Sequence, residues 1–326
     1  MSAPRRASGV VAALLLLWVL AAPRAVADTV AFTWADARIT SPVGLATDTD
    51  HSLYWTANST AEKNHTTVYA LSSDGRVGAT LTYPQSTTGV AAIAYGASKV
   101  LVLDKSPKVN TLRVSYMTLS GLVASGSLSY HYWDFTVPET GQTAAALIVA
   151  PNTQLYVVAQ SGHVYKAPAT PSPSGSNKLT KISDGIAGVT GGYYDATQKK
   201  VVLRTATQIV LADPATFATT KTIEVPAQTG GRGITVSLDG ASYLLTGQGS
   251  GNSVPALSQS SSTPSASPSD TSTPTASASP TEIVASTPAA AGSFSRSQLF
   301  GPATRMAVGV AFVLALIAGG VAFGRR

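Results

Sequence analysis

Between Asp28 and Leu257 the hydrophobic positions follow no helical period of useful length. Short β-branched or aromatic runs alternate with turn residues at intervals of roughly 8–12 residues, the spacing of an all-β chain. Five stretches share one pattern, an apolar strand, a turn of Asp, Asn, Gly or Ser, and a second apolar strand. They read VGLATDTDHSLYWTAN, GVAAIAYGASKVLVLD, AALIVAPNTQLYVVAQ, GVTGGYYDATQKKVVLRT and RGITVSLDGASYLLTGQG. Their starts lie near residues 43, 89, 145, 188 and 232, about 46, 56, 43 and 44 residues apart.

A period near 45 residues, each copy opening on a hairpin, predicts a β-propeller. Third strands follow as VYALSSDGRV, LRVSYMTLSG, HVYKAPA and TQIVLAD, and fourth strands as ATLTYP, YWDFTVP, LTKIS and KTIEVP. The fifth unit has its hairpin and SVPAL but no outer strand of its own. TVAFTWAD, at residues 29–36, is the strand left over and can supply it, closing the ring and removing an exposed edge. Five blades result. Six stay open if the long second unit hides another, and a pair of β-sandwiches is the competing architecture.

The ends of the chain have other patterns. Residues 1–27 read as a signal peptide: Arg5 and Arg6, an apolar run from Gly9 to Leu20, then Ala25-Val26-Ala27 as a small-x-small cleavage site. The extracellular domain is assigned to 28–257. A disordered stalk is assigned to 258–303; from Ser258 to about Ala291 it is Ser/Thr/Pro-rich and nearly devoid of large apolar groups, and these ~35 residues can reach ~100 Å. A transmembrane helix is assigned to 304–324, where Met306 to Gly324 carries no charge, and Arg325 and Arg326 form a cytoplasmic tail. The expectation is a single-pass cell-membrane protein with its N-terminal domain outside.

The net charge of +6 changes this picture little. Arg5, Arg6 and Arg24 belong to the signal, and Arg296, Arg305, Arg325 and Arg326 face only Asp270 and Glu282 beyond residue 257. The domain between is close to neutral and lacks the basic stripe that nucleic acid requires. The absence of cysteine excludes disulfides, a lipidated cysteine and thiolate metal sites, so stability must come from a large core.

VGLATDTDHSLYWTAN with VYALSSDGRV, AALIVAPNTQLYVVAQSGHVYKAPA and VTGGYYDATQKKVVLRT resemble the actinobacterial branch of the esterase-like, phytase-like β-propellers, over most of residues 35–257. The resemblance implies acidic residues where the first strand of each blade begins, able to hold Ca²⁺ or to act as acid–base pairs. In that register Ala91 and Ala145 replace glutamates, and Gly89, Ala92 and Thr143 replace aspartates. Tyr193 and Arg232 occupy two further expected acidic positions. Such losses disfavour metal-assisted ester or phosphate chemistry.

Other candidates are weak. Asp48 and Asp50 form a D-x-D in a hairpin turn, where Asp bonds its own backbone. His51, His65, His131 and His163 show no metal-ligand spacing. SSDGRV and SLDGAS read as turns, and no nucleophile elbow is present. In a propeller, the ends of the second strands are expected to converge at one mouth of the channel. That assigns Asn58, Asp104, Gln160, Arg204 and Gln248 to a polar ring suited to a neutral or zwitterionic ligand. No catalytic residue, metal or cofactor is assigned. The partners expected are the membrane and an extracellular ligand or protein. The leading function is a non-catalytic binding or cell-envelope interaction module; the alternatives are a metal-dependent phosphatase or esterase and a structural spacer.

Overall fold

The computed structural model describes residues 29–105 and 110–259. The segments assigned as signal, stalk, membrane helix and tail lie outside these residues, apart from Ser258 and Gln259.

Five sheets, each with four antiparallel strands, follow one another around a ring, and no helix occurs among the described residues. Blade 1 comprises β2 (Ala46–Asp48), β3 (Leu53–Ala57), β4 (Thr66–Leu71) and β5 (Val77–Tyr83). Blade 2 comprises β6 (Val90–Gly96), β7 (Lys99–Lys105), β8 (Thr111–Thr118) and β10 (His131–Thr136). Blade 3 has β11 (Ala144–Val149), β12 (Leu155–Ala159), β13 (His163–Lys166) and β15 (Thr180–Asp184). Blade 4 has β16 (Gly191–Asp195), β17 (Lys200–Arg204), β18 (Gln208–Ala212) and β19 (Thr219–Glu224).

Blade 5 joins the two ends of the domain. Its β20 (Gly233–Val236), β21 (Ser242–Thr246) and β22 (Ser253–Ser258) are completed by β1 (Thr29–Thr33), antiparallel to β22 with Thr29 opposite Ala256. The leftover N-terminal strand therefore closes the ring. Phe32 and Trp34 anchor it, both buried and packed edge to face at 5.5 Å between ring centroids.

The long second unit does not hide a sixth blade. Its extra residues leave β8 and form β9 (Gly126–Ser127), which pairs in parallel with β5 of blade 1. Blade 3 repeats the device: β14 (Ser176–Lys178), between β13 and β15, pairs in parallel with β10 of blade 2. Each excursion covers the outer edge of the preceding blade, where unpaired N–H and C=O groups would otherwise template association.

Five apolar clusters lie between neighbouring blades, as expected when both faces of each sheet are buried. Packing is close where blades 4, 5 and 1 meet. A Cβ on Gly233 would stand 2.5 Å from Gly44 Cα, so the two first strands approach backbone to backbone. The SSDGRV and SLDGAS segments are hairpin turns, with Gly75 at φ +79° and Gly240 at φ +73°. The Gly75 turn also lies flat against Phe32 of the closing strand.

Candidate functional site

First strands begin at one end of the channel. There, an axial cavity of about 410 Å³ is lined by residues from all five blades: Val43, Val90, Ala91, Lys105, Thr143, Ala144, Ala145, Gln160, Thr190, Gly230, Gly231 and Arg232. Its charged residues are Lys105 and Arg232. Ala91 and Ala145 sit at register shifts in the ladders β6–β7 and β11–β12, bulges that turn one extra residue toward the axis. Thus four positions at which the resemblance implies acids, Ala91, Thr143, Ala145 and Arg232, line this mouth. Tyr193 lines the opposite end, a cavity of about 520 Å³ among the first hairpin turns.

The five residues assigned to the mouth are not brought together there. Gln160 lines the axial cavity, and Gln248 lines an adjoining hollow that shares Gly230 and Arg232 with it. Asn58 is buried and its carboxamide is used locally, accepting from Thr40 and Ser41 N–H at 3.1 Å each and donating to Arg38 O at 2.8 Å. Second strands stand one ladder spacing, about 4.8 Å, outside the first strands, and alternate side chains point to opposite blade faces. A residue at their ends therefore need not face the axis.

Arg204 is fully buried behind the mouth. Its Nη1 donates to Gly233 O at 2.8 Å and Thr246 O at 2.6 Å, and its Nη2 donates to Gln228 Oε1 at 2.8 Å. Among the described residues its Nε has no hydrogen-bond partner. Burial without a facing carboxylate lowers its pKa to about 10. Its guanidinium lies against Gly231, whose Cβ, if present, would stand 2.6 Å from Nη2.

Asp104 points away from the axis into a larger cleft of about 740 Å³ between blades 1 and 2, bordered by Glu62, Lys63, Gln85, Thr87, Lys105, Arg113 and Asp134. It is 3% exposed, and burial pushes its pKa up to about 6 against the opposing hydrogen bonds from Thr87 Oγ1 and, at 3.0 Å, Gln85 Nε2. Opposite it, Arg113 grips Asp134 through two hydrogen bonds of 2.6 and 2.8 Å and lies 4.1 Å over the Tyr132 ring. This cleft was not anticipated as a site. Its one sequence signal, Asp104 ending an apolar strand, was assigned to the mouth instead.

The remaining candidates have structural partners. Asp48 is buried, accepting from His51 N–H at 3.0 Å and Trp55 Nε1 at 2.9 Å and lying 2.8 Å from His51 Nδ1. Asp50 accepts from Tyr95 Oη at 2.8 Å. His163 lies 2.5 Å from Glu139 and 3.3 Å from Asp184 in a network with Lys181. His131 stacks on Tyr116 at 5.4 Å. Among the described residues no group of three or more His, Asp or Glu is arranged to hold a metal ion.

The fold is that of a five-bladed β-propeller. No family profile and no curated protein matches the chain. Among solved structures it is similar to a protein from Bacteroides uniformis provisionally assigned as a 6-phosphogluconolactonase, at 16% identity and TM-score 0.42, over 66% of this chain and 66% of that one. It is also similar to a gluconolactonase from Xanthomonas campestris, at 12% identity and TM-score 0.42, over 65% and 71%. The likeness is one of propeller fold and transfers no chemistry. The phytase-like family of the sequence resemblance is not shown by these matches.

Proposed function

We propose that the protein is a non-catalytic binding module, a propeller displayed outside the cell by a stalk and a C-terminal membrane helix. The observation that supports this reading is the lining of the axial mouth, whose charged residues are Lys105 and Arg232 and whose bulged positions carry Ala91 and Ala145. Among the described residues a mouth so lined offers no carboxylate for a hard cation or for general acid–base work, while Gln160, Thr143 and Thr190 offer hydrogen bonds to a ligand. The signal-like start and the apolar run at Met306–Gly324 support display at the membrane. The test is turnover of generic phosphate and carboxylate esters by the full chain, with and without Ca²⁺. None is expected, and turnover above the uncatalysed rate would overturn the reading.

One observation favours a second reading, a hydrolase. Asp104, with its pKa pushed up to about 6, is the kind of carboxyl that serves as a general acid in a cleft. That reading requires turnover in the assay above and its loss in Asp104→Asn.

A further inference from the structure

The axial mouth concentrates positive charge. Lys105 and Arg232 line it, and among the described residues neither is within ion-pair distance of a carboxylate. Behind the lining residue Gly231 lies a third cation, Arg204, fully buried, with its hydrogen bonds made only to neutral oxygens. The nearest acid in sequence, Asp104, is turned into the cleft between blades 1 and 2 and held there by Thr87 and Gln85. Positive groups gathered at a concave opening with low-dielectric walls focus their field on it. Neutral donors stand around the same rim, the Thr143 and Thr190 hydroxyls and the Gln160 carboxamide.

We infer that the axial mouth is an anion-binding site, taking a small ligand by a phosphate or carboxylate group held between Lys105 and Arg232, with Gln160 and the rim threonines hydrogen-bonding its neutral part. This rests on the binding-module reading and names the ligand class of its site. The cavity of about 410 Å³ is of a size for a small molecule and not for a polymer segment.

The test is calorimetric titration of the full chain, in detergent, with inorganic phosphate, with acetate and with choline as a cation control. Saturable binding of phosphate or acetate is expected, with none for choline. Phosphate alone points to a phosphate-bearing ligand, and acetate of comparable strength to a carboxylate. Lys105→Met and Arg232→Met should each weaken binding by about tenfold, the size of one charge-assisted hydrogen bond. Arg76→Met, at an exposed hairpin turn, should leave binding unchanged. Wild-type affinity should also fall as chloride is raised, a measurement independent of any variant. No saturation at tens of millimolar of either anion, or wild-type affinity in both mouth variants, overturns the inference. The failures are separable: ester turnover with anion binding intact defeats the binding-module reading and leaves the site standing. Absent turnover with absent anion binding does the reverse.

Discussion

Asp104→Asn gives a direct measure of what burying a carboxyl costs this fold. Asp104 is 3% exposed, and its pKa rises from the ordinary aspartate value near 3.8 to about 6 because burial disfavours the charged form. A pKa raised on folding means that the native state binds more protons than the unfolded chain between those two values, so stability falls as pH rises through them. The stability is fully present below about pH 4 and lost above about pH 6. A shift of about two pKa units corresponds to roughly 3 kcal/mol at neutral pH, of which about 2 kcal/mol develops between pH 4.5 and 7.5. Asparagine has nearly the same shape and no charge. It still accepts from Thr87, and Gln85 can reverse its amide to meet it, at a cost of about 1 kcal/mol for imperfect pairing. Urea unfolding of the propeller segment 29–259, complete as a ring because β1 closes on β22, measures both proteins at both pH values. The variant is expected to gain about 2 kcal/mol on wild type between pH 4.5 and 7.5, all other titrations cancelling in the difference. A stability difference that does not change with pH, or one that moves against the variant as pH rises, would refute the claim that Asp104 is buried as a charge.

Phe32→Ala should destabilise the propeller by about 3–5 kcal/mol in the same unfolding assay, because Phe32 fixes the closing strand between Trp34 and Tyr54. Gly75→Ala should cost about 2 kcal/mol or more, since a Cβ at φ +79° is strained and would meet the Phe32 ring at 2.2 Å; a thermal midpoint equal to wild type would contradict this. Arg204→Met should cost about 2–4 kcal/mol by removing the side-chain donor from Gly233 O and Gln228 in a buried site, Thr246 O keeping its bond from Arg232 N–H, and Arg204→Lys should recover little because one ammonium cannot span three acceptors. Gly233→Val should prevent ring closure, seen as loss of cooperative unfolding, because its side chain would overlap Gly44.

The architecture was readable because strand alternation and turn residues repeat with a period, and a period survives local ambiguity. The pairing of residues 29–33 with β22 followed from counting: one blade lacked an outer strand and one strand lacked a blade. The 56-residue spacing was ambiguous for a physical reason. A two-residue strand such as β9, Gly126–Ser127, has no hydrophobic alternation, and its partner lies in the preceding blade, so nothing local announces it. Blade count was therefore decided by a long-range pairing that composition does not encode.

The candidate site was less legible, and the reason lies in the direction of side chains. Ending a second strand places a residue near the channel end but does not say which blade face receives it. Asp104 and Lys105 are neighbours in β7, yet Lys105 borders both the axial mouth and the cleft between blades while Asp104 faces the cleft alone. Asn58 and Arg204 occupy equivalent places in blades 1 and 4, and both are consumed by backbone partners from neighbouring segments. What the mouth presents comes from the starts of the first strands, where two bulges turn Ala91 and Ala145 inward, and from Lys105 and Gln160 at the ends of two second strands. The polar ring read from the sequence held one acid and one base. With Asp104 removed to the cleft and Arg232 and Lys105 added, the balance at the axis becomes positive, which is why the ligand proposed is an anion rather than the neutral or zwitterionic one the sequence suggests.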